Sequence, residues 1–294
     1  MLEFREIDYA RDIPEIVDLL LTSLSDTNNR DHFIWKHIKN PFGKSYGLLA
    51  CDEGKIVGVR MFMFWEFVRD KEVVKAVRPV DTITHPEYRG KGIFKKLTLD
   101  GLDKCSDRFD LVFNTPNNNS FPGYLKMGWQ KFKGRLSYKL AVVFPLLVSK
   151  KFSLENVRTE ELDIKVLSPS PKWTTNYTDE YLKWRYAAAV YKKAYFKYRQ
   201  SSGYIIYKIK KVKGVKILLL IDYIGRQESL QEVIRGLAAK NNTCLIHYLD
   251  NDRMLGFRPL ISFKRPESVV VYKEDQQAIA SHILFSSGDL EGRL

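Results

Sequence analysis

The spacing of apolar residues changes repeatedly along the chain, and each change marks an element. Ile13, Ile16, Val17, Leu19 and Leu20 recur at helical spacing behind Asp12, predicting an amphipathic helix with an acidic cap. "DHFIWKHIKNPFG" reads as a second short helix ended by Asn40-Pro41, since proline pushes the residue before it out of helical backbone. Three strand-like runs follow: "YGLLACDEG", "KIVGVRMFMFWEFV" and "EVVKAVRPVDTITH". The break at "DEGK" predicts a hairpin turn in which Gly54 takes a positive φ. A helical period returns in "GIFKKLTLDGLDKC". After it, "FDLVFNTP" is a strand, "NSFPGYLKM" a short helix, and "WQKFKGRLSYKLAVV" a closing strand or pair of strands.

Between about Pro145 and Tyr177 the pattern weakens into mixed charges, serines and prolines, as in an interdomain connection. It resumes with a helix, "TDEYLKWRYAAAVYK", capped by Thr178. The runs "AYFKYRQ", "GYIIYKIKKV" and "VKILLLIDYI" read as strands, "SLQEVIRGLAAKNN" as a helix, "CLIHYL" as a strand and "ISFKRPESVVVYK" as a final hairpin. The two halves share one order of elements: helix, antiparallel strands, a strand into a long helix, a strand, a short segment ending in Gly-aromatic, and closing strands. "KMGW" ends that short segment in the first half and "MLGF" in the second. We therefore expect two related α/β domains in tandem, residues 1–144 and 178–294, joined by residues 145–177.

Composition adds one anomaly. Of 294 residues, 48 are Lys or Arg and 35 Asp or Glu, a formal net charge of +13. Such an excess favours anionic partners, but the basic residues are spread along the chain, and no helix-turn-helix, zinc finger or single-strand aromatic platform accompanies them. Cys51, Cys105 and Cys244 are far apart, which suits buried thiols better than a disulfide framework or a metal site. No apolar run reaches the roughly 18–20 residues of a membrane span. The acidic N-terminus is unlike a signal peptide, so a cytoplasmic location is expected.

The chemistry is concentrated in "THPEYRGKGIFKKL", Thr84 to Leu97. A strand ends, a glycine-rich basic turn follows, and a helix begins. First-turn N–H groups lack partners and carry the positive end of the helix dipole, and glycine lets an anion approach them. The turn has no Gly-Lys-Ser/Thr ending and lacks GxGxxG spacing, so neither a nucleotide P-loop nor a dinucleotide fold is indicated. It resembles instead the pyrophosphate loop of the GNAT N-acetyltransferase superfamily, Arg/Gln-x-x-Gly-x-Gly/Ala, with Arg89, Gly92 and Phe94 in those positions; Phe94 departs from the usual small residue. A second stretch, "NNNSFPGYLKMGW", resembles that family's Asn-x-x-Ala-x-x-x-Tyr-x-x-x-Gly-Phe. Asn117 and Tyr124 lie seven apart, Ser120 stands for the small residue, and Gly128-Trp129 for Gly-Phe. The resemblance covers about residues 1–140.

That resemblance implies an acyl-CoA N-acyltransferase fold, a mixed α/β sheet, repeated in a degenerate second half. It implies an acetyl-CoA co-substrate, no metal, and a primary amine on a small molecule, such as an amino sugar or amino-acid derivative, as acceptor. Arg89, Gly90, Lys91, Gly92, Ile93 and Phe94 would hold the pyrophosphate through main-chain N–H groups. Thr82, Ile83 and Thr84 would face the pantetheine arm, and Asn117 would hydrogen-bond it. Tyr124 would protonate the departing thiolate. For the general base, Asp81 is preferred on strand position over Glu66 and His85. In the second half a single glycine and Glu228 replace the basic turn, so that half is expected to pack against the first and shape the acceptor site, with Trp184 and Arg185 either lining it or forming a structural aromatic cluster. A donor other than acetyl-CoA, such as aminoacyl-tRNA, and a non-catalytic acyl-CoA sensor are the competing readings. Monomer and homodimer both remain open.

Overall fold

In the computed structural model, which describes residues 1–22, 29–144, 152–162, 172–225, 229–254, 257–267 and 269–290, the chain opens on a four-residue strand, β1 (Glu3–Glu6). The apolar period gave no sign of it; β1 earns its place by pairing antiparallel with β2 (Tyr46–Asp52). Helices α1 (Ile13–Leu21) and α2 (Arg30–His37) come between them. The apolar stripe of α1 is buried against Leu49, Val59 and Met61, as its period requires. β2 turns into β3 (Lys55–Arg69) through Glu53 and Gly54, whose φ values of 49° and 80° suit a two-residue hairpin turn. β3 is buried at nearly every position from Ile56 to Phe67, which is why its sequence reads as a continuous apolar run.

β4 (Glu72–Thr84) leads through the glycine-rich turn into α3 (Ile93–Lys104). Then come β5 (Leu111–Asn114), α4 (Phe121–Lys126) and β6 (Trp129–Lys131). β7 (Ser137–Val142) pairs in a second sheet, with β8 (Phe152–Asn156), the two-residue β9 (Thr174–Thr175) and α5 (Asp179–Tyr186) after it. β10 (Lys192–Tyr198), β11 (Ser201–Val212) and β12 (Val215–Ile224) form an antiparallel run. Next are α6 (Leu230–Lys240), β13 (Leu245–Asp250), β14 (Ile261–Glu267), β15 (Val271–Lys273), α7 (Gln277–Ala280) and α8 (Ser287–Leu290).

The chain forms two compact units: Met1–Phe67 with Glu72–Phe132 and Val270–Ala280, and Val68–Lys71 with Lys133–Val269 and Ser281–Leu294. The first sheet has the order β1-β2-β3-β4-β5-β15-β6 and the second β14-β7-β13-β12-β11-β10-β8. Each contains a parallel pair bridged by a helix: β4 with β5 across α3, and β12 with β13 across α6. That correspondence bears out the repeated mixed sheet. "ISFKRPESVVVYK", expected to be one hairpin, is corrected. Its first strand, β14, pairs with β7, whereas β15 enters the first sheet antiparallel to both β5 and β6. The sequence could not reveal this, because β15 meets Asn114 and Phe113 across more than half the chain. Among the described residues, no helix is long and apolar enough to cross a membrane, and no cluster of metal-ligating side chains appears.

Candidate acyl-transfer site

β4 and β5 pair only at Ala76 with Leu111 and Val77 with Val112. Beyond that point Arg78 spans the two strands, its guanidinium donating to Thr115 Oγ1 and lying 5.9 Å from the centroid of the Phe113 ring. The upper part of β4, Thr82 to Thr84, thus stands away from β5. It ends in the turn at Gly90 and Gly92, with φ of 79° and 76°. A left-handed backbone at both positions favours glycine, and a Cβ at either would meet nothing within 4 Å. Gly92 is the N-cap of α3 and supplies no side-chain cap; the first helical bond runs from Lys96 N–H to the Gly92 carbonyl. The amides of Ile93, Phe94 and Lys95 precede that bond, at the positive end of a three-turn helix. Arg89 Nε donates to the Thr84 carbonyl at 3.4 Å, and Lys91 Nζ lies 4.4 Å from the centroid of the Tyr88 ring. Open space, bare amides and basic side chains together suit a diphosphate.

Phe94 is accommodated by its neighbour. A Cβ on Gly123 of α4 would come within 3.2 Å of Phe94 Cε1, so the large residue on α3 is matched by the absence of a side chain on α4. The Phe94 ring meets the Tyr124 ring edge-on, centroids 5.9 Å apart, and Trp129 closes the other side at 4.7 Å. Tyr124 is 1% exposed. Its hydroxyl oxygen accepts hydrogen bonds from Arg60 Nη2 and Asn114 Nδ2. A phenol oxygen holding two acceptor bonds keeps its own proton to give away.

Asp81 adopts a left-handed backbone, φ 43°, next to Thr82. Its carboxylate accepts from Lys36 Nζ at 2.8 Å and contacts His37 Nε2 at 2.7 Å, while His37 Nδ1 lies 3.0 Å from Ser45 Oγ. Burial alone would raise this carboxyl; Lys36 and His37 outweigh it and hold the group well below the usual carboxylate range. Burial pushes His37 down, with the Asp81 contacts acting in the opposite sense. A carboxylate held charged so firmly is a weak proton acceptor at neutral pH. This argues against Asp81 as the base and for an ion-paired clamp between α2 and β4. Glu66 is half-buried on β3, and His85 Nδ1 lies 3.9 Å from Glu87 Oε2. His32, half-buried on α2, is lowered by burial and then by Lys36.

Asn117 is exposed, and its Oδ1 accepts from Ser120 N–H at 2.9 Å and Asn119 N–H at 3.1 Å, which fixes the approach to α4. The asparagine that touches the tyrosine is Asn114, at the end of β5. Asn114 and Arg60 both escaped the sequence reading. For Arg60 a signal existed: a lone cation inside the apolar run "IVGVRMFMFW".

In the second unit Trp184 and Arg185 are both buried, the latter 1% exposed and donating to Tyr191 Oη at 2.8 Å and the Gly288 carbonyl at 2.9 Å. They belong to a structural aromatic cluster with Tyr181 and Tyr186. Glu228, like Leu255-Gly256 of "MLGF" and residues 145–151 and 163–171 of the connecting segment, lies outside the described residues.

The acetyltransferase (GNAT) domain family matches residues 3–132. Among solved structures, a GCN5-related N-acetyltransferase from Anabaena variabilis superposes with a TM-score of 0.72 at 12% identity, covering 92% of this chain and 72% of its own. A probable N-acyltransferase from Enterococcus faecalis gives 0.73 at 11%, with coverage of 92% and 72%. A tandem GNAT protein from the clavulanic acid biosynthesis pathway gives 0.53 at 12%, with coverage of 92% and 98%. No curated protein matches the sequence. Residues 3–132, with their splayed β4 and β5 and uncapped α3, match the acetyltransferase (GNAT) domain family, and the two-sheet chain shares the fold of GNAT N-acetyltransferases, a tandem GNAT protein among them.

Proposed function

We propose that this protein transfers an acetyl group from acetyl-CoA directly to the primary amine of a small molecule, an amino sugar or amino-acid derivative. The observation that carries the reading is the glycine turn, which leaves the first amides of α3 uncapped beside Arg89 and Lys91. In this reading Arg89 to Phe94 hold the diphosphate, Thr82, Ile83 and Thr84 face the arm, and Asn117 fixes the start of α4 so that Tyr124 points at the sulfur. Tyr124 then supplies a proton to the departing thiolate without carrying charge beforehand. The amine attacks in its neutral form and gives up its proton to solvent.

Isothermal titration with acetyl-CoA at two salt concentrations tests donor binding, with affinity expected to fall as salt rises. Free-thiol release with a panel of amines tests the reaction. Tyr124→Phe is expected to lower kcat by about a hundredfold or more, within the range for loss of a general acid, while acetyl-CoA still binds. Unchanged turnover removes Tyr124 from the mechanism, and tight tRNA binding without acetyl-CoA affinity removes the donor.

A further inference from the structure

We propose that Arg60 is a positioning residue for acyl transfer, holding the Tyr124 hydroxyl toward the sulfur and neutralising the charge left on its oxygen. This rests on the reading of Tyr124 as the acid.

Arg60 lies in the middle of β3 and is 2% exposed. A buried guanidinium is ordinarily met by a carboxylate, because stripping its water costs several kcal/mol. Here, among the described residues, none pairs with it. Nη1 donates to Thr82 Oγ1, Nη2 donates to Tyr124 Oη, and Nε has no acceptor. The rings of Phe62, Phe94 and Tyr124, with centroids 5.9, 5.4 and 5.6 Å from its central carbon, offer only their quadrupoles. Both hydroxyls it holds are those assigned to the reacting end of the donor: Thr82 on the strand beside the arm, and Tyr124 as acid. The cation is thus buried without an anion at the place where negative charge develops during the reaction.

The step balances as follows. The amine nitrogen bonds to the acyl carbon, the carbon–sulfur bond breaks with its electron pair going to sulfur, and sulfur takes the proton of Tyr124. The phenolate oxygen left behind is held by Arg60 and Asn114 until a proton returns from solvent, matching the one the amine has lost. A charge-assisted pair in a site without water is stronger than a neutral one, so the arginine acts mainly while that charge exists.

The test is a double-mutant cycle between Arg60 and Tyr124, read in steady-state kinetics and acetyl-CoA titration. Arg60→Gln is expected to lower kcat by about tenfold to a hundredfold with the acetyl-CoA dissociation constant within about twofold. In a Tyr124→Phe background the same substitution is expected to change kcat by less than about threefold, since the two residues act as one unit. Arg60→Lys, which keeps the charge but not the planar fork, is expected to retain part of the rate, and it carries the cycle if Arg60→Gln does not fold. Equal losses in both backgrounds would mark a merely structural arginine and overturn the proposal, as would an unchanged kcat. Wild-type protein that neither binds acetyl-CoA nor releases thiol fails the functional reading itself, before any variant is compared.

Discussion

A buried charge is stable only in company, and Asp81 illustrates how that fixes a residue's role. Lys36, 3% exposed at its side chain, and His37, fully buried, converge on one carboxylate. Removing the carboxylate breaks the pairs with Lys36 and His37, so Asp81→Asn is expected to cost about 3 kcal/mol at pH 7. The sign with pH follows from a folded carboxyl that titrates below its ordinary value of about 3.9. The pairs contribute fully above that value and are lost as pH falls through the lower, folded one. Urea denaturation across a pH series is expected to show the gap between wild type and variant widest near neutrality and closing below about pH 4. A gap independent of pH would mean that the ion pairs contribute nothing. Asp81 was visible in the sequence as a polar residue at a strand end, but its partners on α2 were not, since nothing in the spacing joins residues 36 and 37 to 81.

At the scale of elements, the strand–turn–helix from β4 to α3 was legible because local rules fix it. The glycines demand a left-handed backbone, and the helical period restarts directly behind them. Gly92→Glu is expected to act twice. A residue with a Cβ in the left-handed region costs about 1 kcal/mol, seen as a lowered Tm. Its carboxylate then faces the space before the α3 amides, where it is expected to weaken acetyl-CoA binding by about tenfold or more through like-charge repulsion. Gly92→Ala separates the two effects, keeping the backbone cost with most of the affinity. An acidic variant with undiminished affinity would move the diphosphate elsewhere. The match between Phe94 and Gly123 was not legible, because it depends on how α3 and α4 cross rather than on either sequence alone.

For the whole molecule, the decisive feature is β15. It lies between β5 and β6, pairing Val271 with Asn114 and with Lys131, and Gln276 Oε1 accepts from Val112 N–H at 2.8 Å. A fragment comprising residues 1–144 lacks that strand, leaving open edges on β5 and β6. It is expected to show reduced strand content by circular dichroism, rapid proteolysis and a tendency to associate through those edges. Full-length chain with residues 270–280 intact is expected to resist protease under the same conditions. A stable, monomeric 1–144 fragment would show that β15 is dispensable. Because β15 pairs with Asn114, the strand also supports a residue that holds the Tyr124 hydroxyl.

What the sequence determined by itself was whatever short-range physics controls: the period of each helix and strand, the glycine turn, and the spacing from Asn117 to Tyr124 that pointed to one superfamily. The tertiary structure alone decided which distant groups meet. It brought Arg60 and Asn114 onto one phenol oxygen, gave Asp81 two cations, and carried a strand from near the C-terminus into the first sheet. Pairings of that kind follow from burial and from satisfying polar groups across long separations, and no local pattern encodes them.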